Sequence, residues 1–270
     1  AFIGAYKYDE FISEKKGDDD TARPGRISFK LYEGDSKAVK AGMGIGNAQK
    51  FARTLANRPP NMVTPAALAR EARSMARKTA SLSCSVLSFK QLKDKKMGGI
   101  IAVGQGSVNK PCMIVLKYKP SGKKAKEKVG LVGKAITFDA GGISIKPSQN
   151  MQDMKMDMAG GAGMLGVINA VAELKLKVEV TAIICAAENL PGGGSYRPGD
   201  IITTYSGKTV EIQNTDAEGR MVMSDGIHYA KEIGCDVIID MATLTGACVV
   251  ALGLSRAAVM SNDDKLAEDF

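Results

Sequence analysis

Residues Asn214–Arg220 read Asn-Thr-Asp-Ala-Glu-Gly-Arg and place two carboxylates and a guanidinium close together. Alternate residues of an extended chain point the same way, so this spacing predicts that Asp216, Glu218 and Arg220 share one face. The stretch follows a predicted strand, Thr209–Gln213, and precedes a predicted helix, Met221–Ile233. Strand ends of this kind commonly carry function. Gly219 leaves room for close approach to the backbone. Such a group could hold a cation or move protons. Taken alone, it is equally a solvated turn.

A second stretch adds the asymmetry that a turn does not explain. Val129–Phe138 reads as a buried strand, yet Lys134 lies within it and Asp139 directly after it. Lys146, Asp153 and Asp157 follow. A charge in a buried strand is costly unless it is paired or coordinates a metal. Asp216 and Glu218 cannot by themselves accommodate further acids, because crowded carboxylates raise one another's pKa. Divalent metal ions would resolve both difficulties.

The blocks Val132-Gly133-Lys134-Ala135-Ile136-Thr137-Phe138-Asp139, Gly141–Lys146, Met154–Met158 and Asn214–Arg220 resemble the signatures of the leucyl aminopeptidase family. These are dinuclear-metal exopeptidases. Supporting blocks are Asn57–Asn61 with Thr64-Pro65, Glu188–Pro191, Arg197–Asp200 and Asp240–Gly246, in the family's order. Ala135 and Ala140 depart from the family's usual Gly and Ser at positions that are not ligands.

The resemblance implies a set of roles. Asp139 and Glu218 would bridge two divalent metals, zinc, manganese or magnesium. Asp216 would complete the more exchangeable site, and Lys134 with Asp157 the tighter one. Lysine as a ligand must be neutral, at a cost of roughly 4–5 kcal/mol at pH 7 from its reference pKa. Burial and two dications push in the required direction, whereas Arg would not release its proton. A water between the metals would attack the scissile carbonyl. Lys146 would stabilise the oxyanion, and Arg220 would hold a bicarbonate that takes up the proton. The substrate's free N-terminal amine would bind at the tighter metal and Asp157. Met154, Thr243, Leu244 and Gly246 would shape a pocket for an apolar first side chain, and Asn214 would position its neighbours. Outside this context Lys146 reads as a surface lysine, and Asp157 as a helix-start acid.

Composition narrows the alternatives. The chain has 270 residues, 44% of them apolar, as in an ordinary globular protein. A single histidine, His228, leaves little scope for Ser-His-Asp, Cys-His or His-ligated zinc chemistry. His228 itself reads as a surface or packing residue. Five cysteines without a Cys-x-x-Cys pair fit a reducing, cytoplasmic setting. No leader-like run is seen, and the longest uncharged stretch, Met241–Ser255, is short of a membrane span. Residues 51–130 hold 17 basic against 3 acidic side chains, and residues 131–270 hold 11 against 18. The basic part raises a nucleic-acid-binding module as a competing function, but without interleaved aromatics a solvated face explains it better. A catalytically silent relative is the other competitor, although every ligand position is filled.

Residues 1–35 read as a linker from an N-terminal domain, with a short strand at Ile27–Tyr32. Residues 36–270 read as the catalytic domain, cut short of the family's C-terminal end. Helices are predicted at Lys37–Leu55, from Pro65 to about Lys78, near Lys90–Lys96, at Gly163–Leu174 and at Met221–Ile233. Strands are predicted at Ser83–Leu87, Gly99–Val103, Met113–Tyr118, Val129–Phe138, Glu179–Ala186 and Asp236–Met241. Asp200–Tyr205 and Thr209–Gln213 flank a hairpin turn at Ser206–Lys208. This alternation predicts an α/β domain, a mixed and mostly parallel sheet with helices on both faces; the hairpin argues for the mixed character. The resemblance implies peptide substrates and a homo-hexamer.

Overall fold

A computed structural model of the chain describes residues 6–13, 35–122, 125 and 127–270. The predicted strand Ile27–Tyr32 and most of the predicted linker lie outside these residues. Helix α1 (Ser36–Asn57) starts at Asp35, whose side chain accepts from the Lys37 amide, and ends before the Pro59-Pro60 pair. Helix α2 (Pro65–Lys78) has Thr64 as its cap and Pro at its first position.

Strand β1 (Leu82–Leu87) is followed by two short helices, α3 (Phe89–Asp94) and α4 (Gly98–Gly104). The sequence reading of Gly99–Val103 as a strand is therefore wrong. A five-residue apolar run has no period of its own to separate strand from buried helix. Tertiary contacts decide for helix: the buried Asp225 carboxylate accepts from the Ile100 amide at 2.9 Å and the Tyr205 amide at 2.7 Å. It thereby satisfies an otherwise open donor in the first turn of α4.

Strands β2 (Cys112–Tyr118), β3 (Lys128–Asp139), β4 (Glu179–Asn189) and β7 (Val237–Met241) complete the main sheet, in the order β1-β2-β4-β3-β7. β3 is parallel to β4 and to β7, whereas β1–β2 and β2–β4 are antiparallel. The mixed sheet is as expected, but not for the expected reason. The hairpin, β5 (Ile201–Thr203) and β6 (Thr209–Glu211), forms its own two-stranded sheet.

Helix α5 (Ala159–Glu173) joins α1 and α2 over one sheet face, and helix α6 (Glu218–Glu232) joins α3 and α4 over the other. Each face buries its own apolar core, with Leu68, Ile114, Leu165 and Ile184 in one and Leu92, Ile100, Val132, Ile183 and Val222 in the other. α5 lies unusually close to β3. A Cβ on Gly133 would stand 2.6 Å from the Gly161 Cα, and one on Gly161 would stand 2.7 Å from the Ala135 Cβ. The 3-10 turn Met151–Met156 leads into α5 and carries Asp157 to the strand.

Two further short helices, α7 (Ala247–Leu252) and α8 (Asp264–Glu268), bury no residue. No helix among the described residues is long and apolar enough to cross a membrane. His228 packs edge-on against the Tyr205 ring at 5.3 Å, as a packing residue would. In the basic stretch, Arg58 is engaged by Glu10 at 2.8 Å and Glu71 at 3.3 Å.

Candidate metal centre

β3 supplies two of the charged groups, and its geometry decides where they point. Ala135 meets α5, whereas Val132 and Ile136 belong to the core under α6. Lys134 shares their parity and faces α6. Asp139 has the opposite parity, and a regular strand would turn it toward α5. The register with β4 shifts between Ile136 and Asp139: Ile136 pairs with Ala187, and Asp139 pairs with Asn189. Three steps on β3 thus match two on β4, and the extra residue of this bulge re-aims the strand. Ala187 lies in the α6-side core, so Asn189 and its partner Asp139 face that side too.

Glu218 is the first residue of α6, not part of an extended segment. The expected common face of Asp216, Glu218 and Arg220 is therefore not formed. The turn 214–217 instead brings Asp216 beside Glu218, and Arg220, the third residue of the helix, is exposed. Gly219 does allow a close approach, and the group that uses it is Lys134. A Cβ on Gly219 would lie 2.9 Å from the Cδ, Cε and Nζ atoms of Lys134.

The partner that Lys134 required is a pair of distant acids. Its Nζ lies 2.8 Å from Asp157 Oδ1 and 2.8 Å from Glu218 Oε1, and donates to the Thr243 carbonyl at 2.8 Å. The Thr243 hydroxyl donates to Asp157 Oδ1 at 2.7 Å. Lys146 Nζ lies 3.0 Å from Asp139 Oδ2 and 2.5 Å from Asp216 Oδ1. One carboxylate oxygen each of Asp139, Asp216 and Glu218 falls within 4.8 Å of the others. The Asn214 side chain accepts from the Asp216 amide at 2.8 Å. Met154 is half-buried near the 3-10 turn's end, while Leu244 and Gly246 are exposed. The Met154 carbonyl accepts from the Asp157 amide at 3.3 Å, while among the described residues no side-chain hydrogen bond or ion pair joins Arg220, Met154, Leu244 or Gly246 to the cluster. Asp157 is buried and Asp153 is exposed.

Two oxygens stand out. Asp157 Oδ2 and Glu218 Oε2 are buried and have no hydrogen-bond partner. Leaving such an atom unpaired costs about 1–3 kcal/mol, more when it is charged. Oxygen-rich coordination of divalent ions would satisfy them, with Lys134, Asp139, Asp157, Asp216 and Glu218 as the donor set. That set suits zinc, manganese or magnesium.

The titration behaviour reflects this crowding. Burial pushes the Asp157 carboxyl up to about 7, against the pull of Lys134 and with Glu218 adding to the rise. Burial also raises Glu218, again opposed by Lys134. For Lys134, burial acts downward, as expected, but Asp157 and Glu218 outweigh it and the net direction is up. Without metals, then, Lys134 is a charged ammonium. Lys146 is likewise raised: burial opposes its charge, and hydrogen bonds to Asp216 and Asp139 prevail.

A pH dependence follows. Because the folded pKa of Asp157 is raised, its contribution favours the metal-free fold at low pH and is lost between 3.8 and about 7. A metal needs the ionised carboxylate, so binding must displace that proton. Titration with Mn2+ should therefore show affinity falling more steeply below about pH 7 than above it. The added slope should be roughly tenfold per unit, one proton's worth. An unchanged slope across pH 7 would exclude Asp157 as a ligand.

The sequence model of the cytosol aminopeptidase family catalytic domain matches residues 50–270. This chain belongs to the cytosol aminopeptidase family. The "Probable cytosol aminopeptidase" of Koribacter versatilis (strain Ellin345) is 52% identical over 227 residues, covering 84% of this chain and 44% of that protein. Its counterpart in Aquifex aeolicus (strain VF5) is 45% identical over 270 residues, covering 100% of this chain and 54% of the relative. Among solved structures, the bottromycin maturation enzyme BotP superposes with a TM-score of 0.88 at 37% identity, over 99% of this chain and 55% of BotP. BotP in complex with Mn gives a TM-score of 0.89. The chain thus spans about half the length of the family members it matches.

Sequence reasoning missed a group of uncharged residues beside the acids. Thr215 and Asn189 are fully buried and Tyr196 nearly so, and all three bond to the loops that carry the cluster. The signal was available: Thr215 lies inside the Asn214–Arg220 block, and Asn189 inside Glu188–Pro191. Neither stands out in the sequence, because hydroxyl and amide groups announce no charge that needs a partner.

Proposed function

We propose that this chain forms the metal-binding part of an aminopeptidase. It would release N-terminal residues from peptides with a preference for apolar, leucine-like side chains. The observation that carries the reading is the cluster of the buried Lys134, Asp139, Asp157 and Glu218 with the half-buried Asp216, in which two carboxylate oxygens lack any partner. Membership of the cytosol aminopeptidase family supports it, as does the Mn complex of BotP.

Divalent ions would be held by Asp139, Glu218 and Asp216 on one side of the cluster and by Lys134 and Asp157 with Glu218 on the other. When bound, the metals would supply the Lewis acidity that makes water a nucleophile at neutral pH and polarises the scissile carbonyl. The chain's own residues would do the rest. Asp157 would pair with the substrate's free amine, which restricts cleavage to the first residue. Lys146, held protonated, would stabilise the negative charge that develops on the carbonyl oxygen. Arg220, exposed and outside the cluster's ion pairs, would hold a bicarbonate that accepts the proton a histidine takes elsewhere. Met154, Thr243, Leu244 and Gly246 would border the apolar side chain. Assembly as a homo-hexamer and a cytoplasmic setting belong to the same reading.

The test is release of leucine from leucyl amide, with and without added Mn2+ or Zn2+. Metal-dependent release that disappears with N-acetylated substrate is the expected result. Hydrolysis that persists after complete chelation, or that ignores the acetyl group, would overturn the assignment.

A further inference from the structure

Acids from two distant stretches must be held in register: Asp139 after β3, and Asp216 and Glu218 before and within α6. Thr215 joins them. Its hydroxyl donates to the Gly141 carbonyl at 2.6 Å and accepts from the Ser144 amide at 2.8 Å. Its amide donates to the Ser144 hydroxyl at 3.2 Å. Its carbonyl accepts from Asn189 Nδ2 at 3.1 Å and from the Tyr196 hydroxyl at 2.7 Å. All of its polar atoms are thus bonded to the loop that follows Asp139 or to the end of β4 and the segment after it.

Asn189 extends the connection to the carboxylate. Its Nδ2 also donates to Asp139 Oδ1 at 2.8 Å, and the Gly141 amide donates to the same oxygen at 2.9 Å. Two donors on Oδ1 leave Oδ2 directed at the cluster, where Lys146 meets it. Both acceptors of Nδ2 are oxygens, so the amide has only one orientation that works. The fit is close: a Cβ on Gly142 would stand 2.7 Å from Asn189 Oδ1 and 3.0 Å from Thr215 Oγ1.

We infer that Thr215 and Asn189 form a hydrogen-bonded clasp that sets the spacing and orientation of Asp139 relative to Asp216, and so tunes metal affinity at the bridged position. They are positioning residues, acting through the acids. The inference rests on the metal-site reading above. Groups that orient metal ligands are typically worth 10–100-fold in affinity, and a clasp between two loops should fall in that range.

The test is a titration with Mn2+ alone, following free Mn2+ by electron paramagnetic resonance, in the wild type and in three variants. Thr215→Val keeps the shape and removes the hydroxyl. It should weaken Mn2+ binding about 10–100-fold, while near-ultraviolet circular dichroism of the metal-free protein stays unchanged. Thr215→Ser, which restores the hydroxyl, should recover most of the affinity. Glu218→Gln serves as the control for the site itself.

If Glu218→Gln loses Mn2+ but Thr215→Val binds as the wild type does, the clasp is overturned and the metal site stands. If Thr215→Ser is as impaired as Thr215→Val, packing rather than the hydroxyl is responsible and the clasp is again overturned. If the wild type binds no Mn2+, or Glu218→Gln binds it equally well, the metal-site reading itself fails. Should Thr215→Val not fold, Ser144→Ala removes one member of the same clasp from a less buried position. A several-fold loss of affinity there is expected, and none would count against the inference.

Discussion

Replacing Glu218 with alanine is expected to strip the protein of metal and abolish peptide hydrolysis. Glu218 is 2% exposed, with one oxygen on Lys134 and the other without a partner. It is also the residue common to both halves of the cluster, meeting Lys134 on one side and falling among Asp139 and Asp216 on the other. The loss should exceed the 10–100-fold that removal of an outer partner costs. Metal content after desalting, read by mass spectrometry, would decide the matter beside the leucyl amide assay. Wild-type metal content in this variant would remove Glu218 from the ligand set. Glu218→Gln, which keeps the shape, should behave the same way and separates lost coordination from lost packing.

Lys134→Met should have the largest effect on the fold as well as on activity. Nζ is held by Asp157, Glu218 and the Thr243 carbonyl, all at 2.8 Å. Methionine matches the volume, so little packing is lost, but two buried carboxylates then face each other without a counter-charge. Breaking a buried ion pair by removing one partner costs about 3–5 kcal/mol. The cost should depend on pH with a definite sign. Asp157 and Glu218 are already raised by burial, and Lys134 is the group pulling them down. Without it their pKa values rise further, so both can take up protons in mildly acidic solution. Urea unfolding of the metal-free variant should show the full deficit at pH 8 and a much smaller one at pH 5. Equal deficits at the two values would mean that the carboxylates are not the cause. Metal affinity and hydrolysis should both be lost, and Lys134→Arg should not restore them, since a guanidinium cannot release its proton and Gly219 leaves no space for a bulkier group.

Much of the architecture was readable from local signals. The helix start at Thr64-Pro65, the Pro59-Pro60 stop and the apolar runs of β2, β3 and β4 each act within a few residues. The composition of the site was readable too, since a lysine and an aspartate in a buried strand demand partners whatever the fold. Readings failed where the deciding contact was remote. Gly98–Gly104 became a helix through Asp225, which is more than a hundred positions away. The extended face proposed for Asp216, Glu218 and Arg220 gave way to a helix start at Glu218.

By itself, then, the sequence determined the α/β class, the list of charged groups that could not stay unpaired, and the family. Charge in an apolar run and helix capping are properties of the chain that need no neighbours to be recognised. Only the tertiary structure decided how those groups meet. A single extra residue in β3 turns Asp139 to the side of Glu218, against the parity of the strand. The close approach of Gly161 to Gly133 brings Asp157 against Lys134. Thr215 and Asn189 hold the two loops in register through bonds to residues as far as 74 positions away. These are distances set by sheet register and helix packing, and no local pattern of residues encodes them.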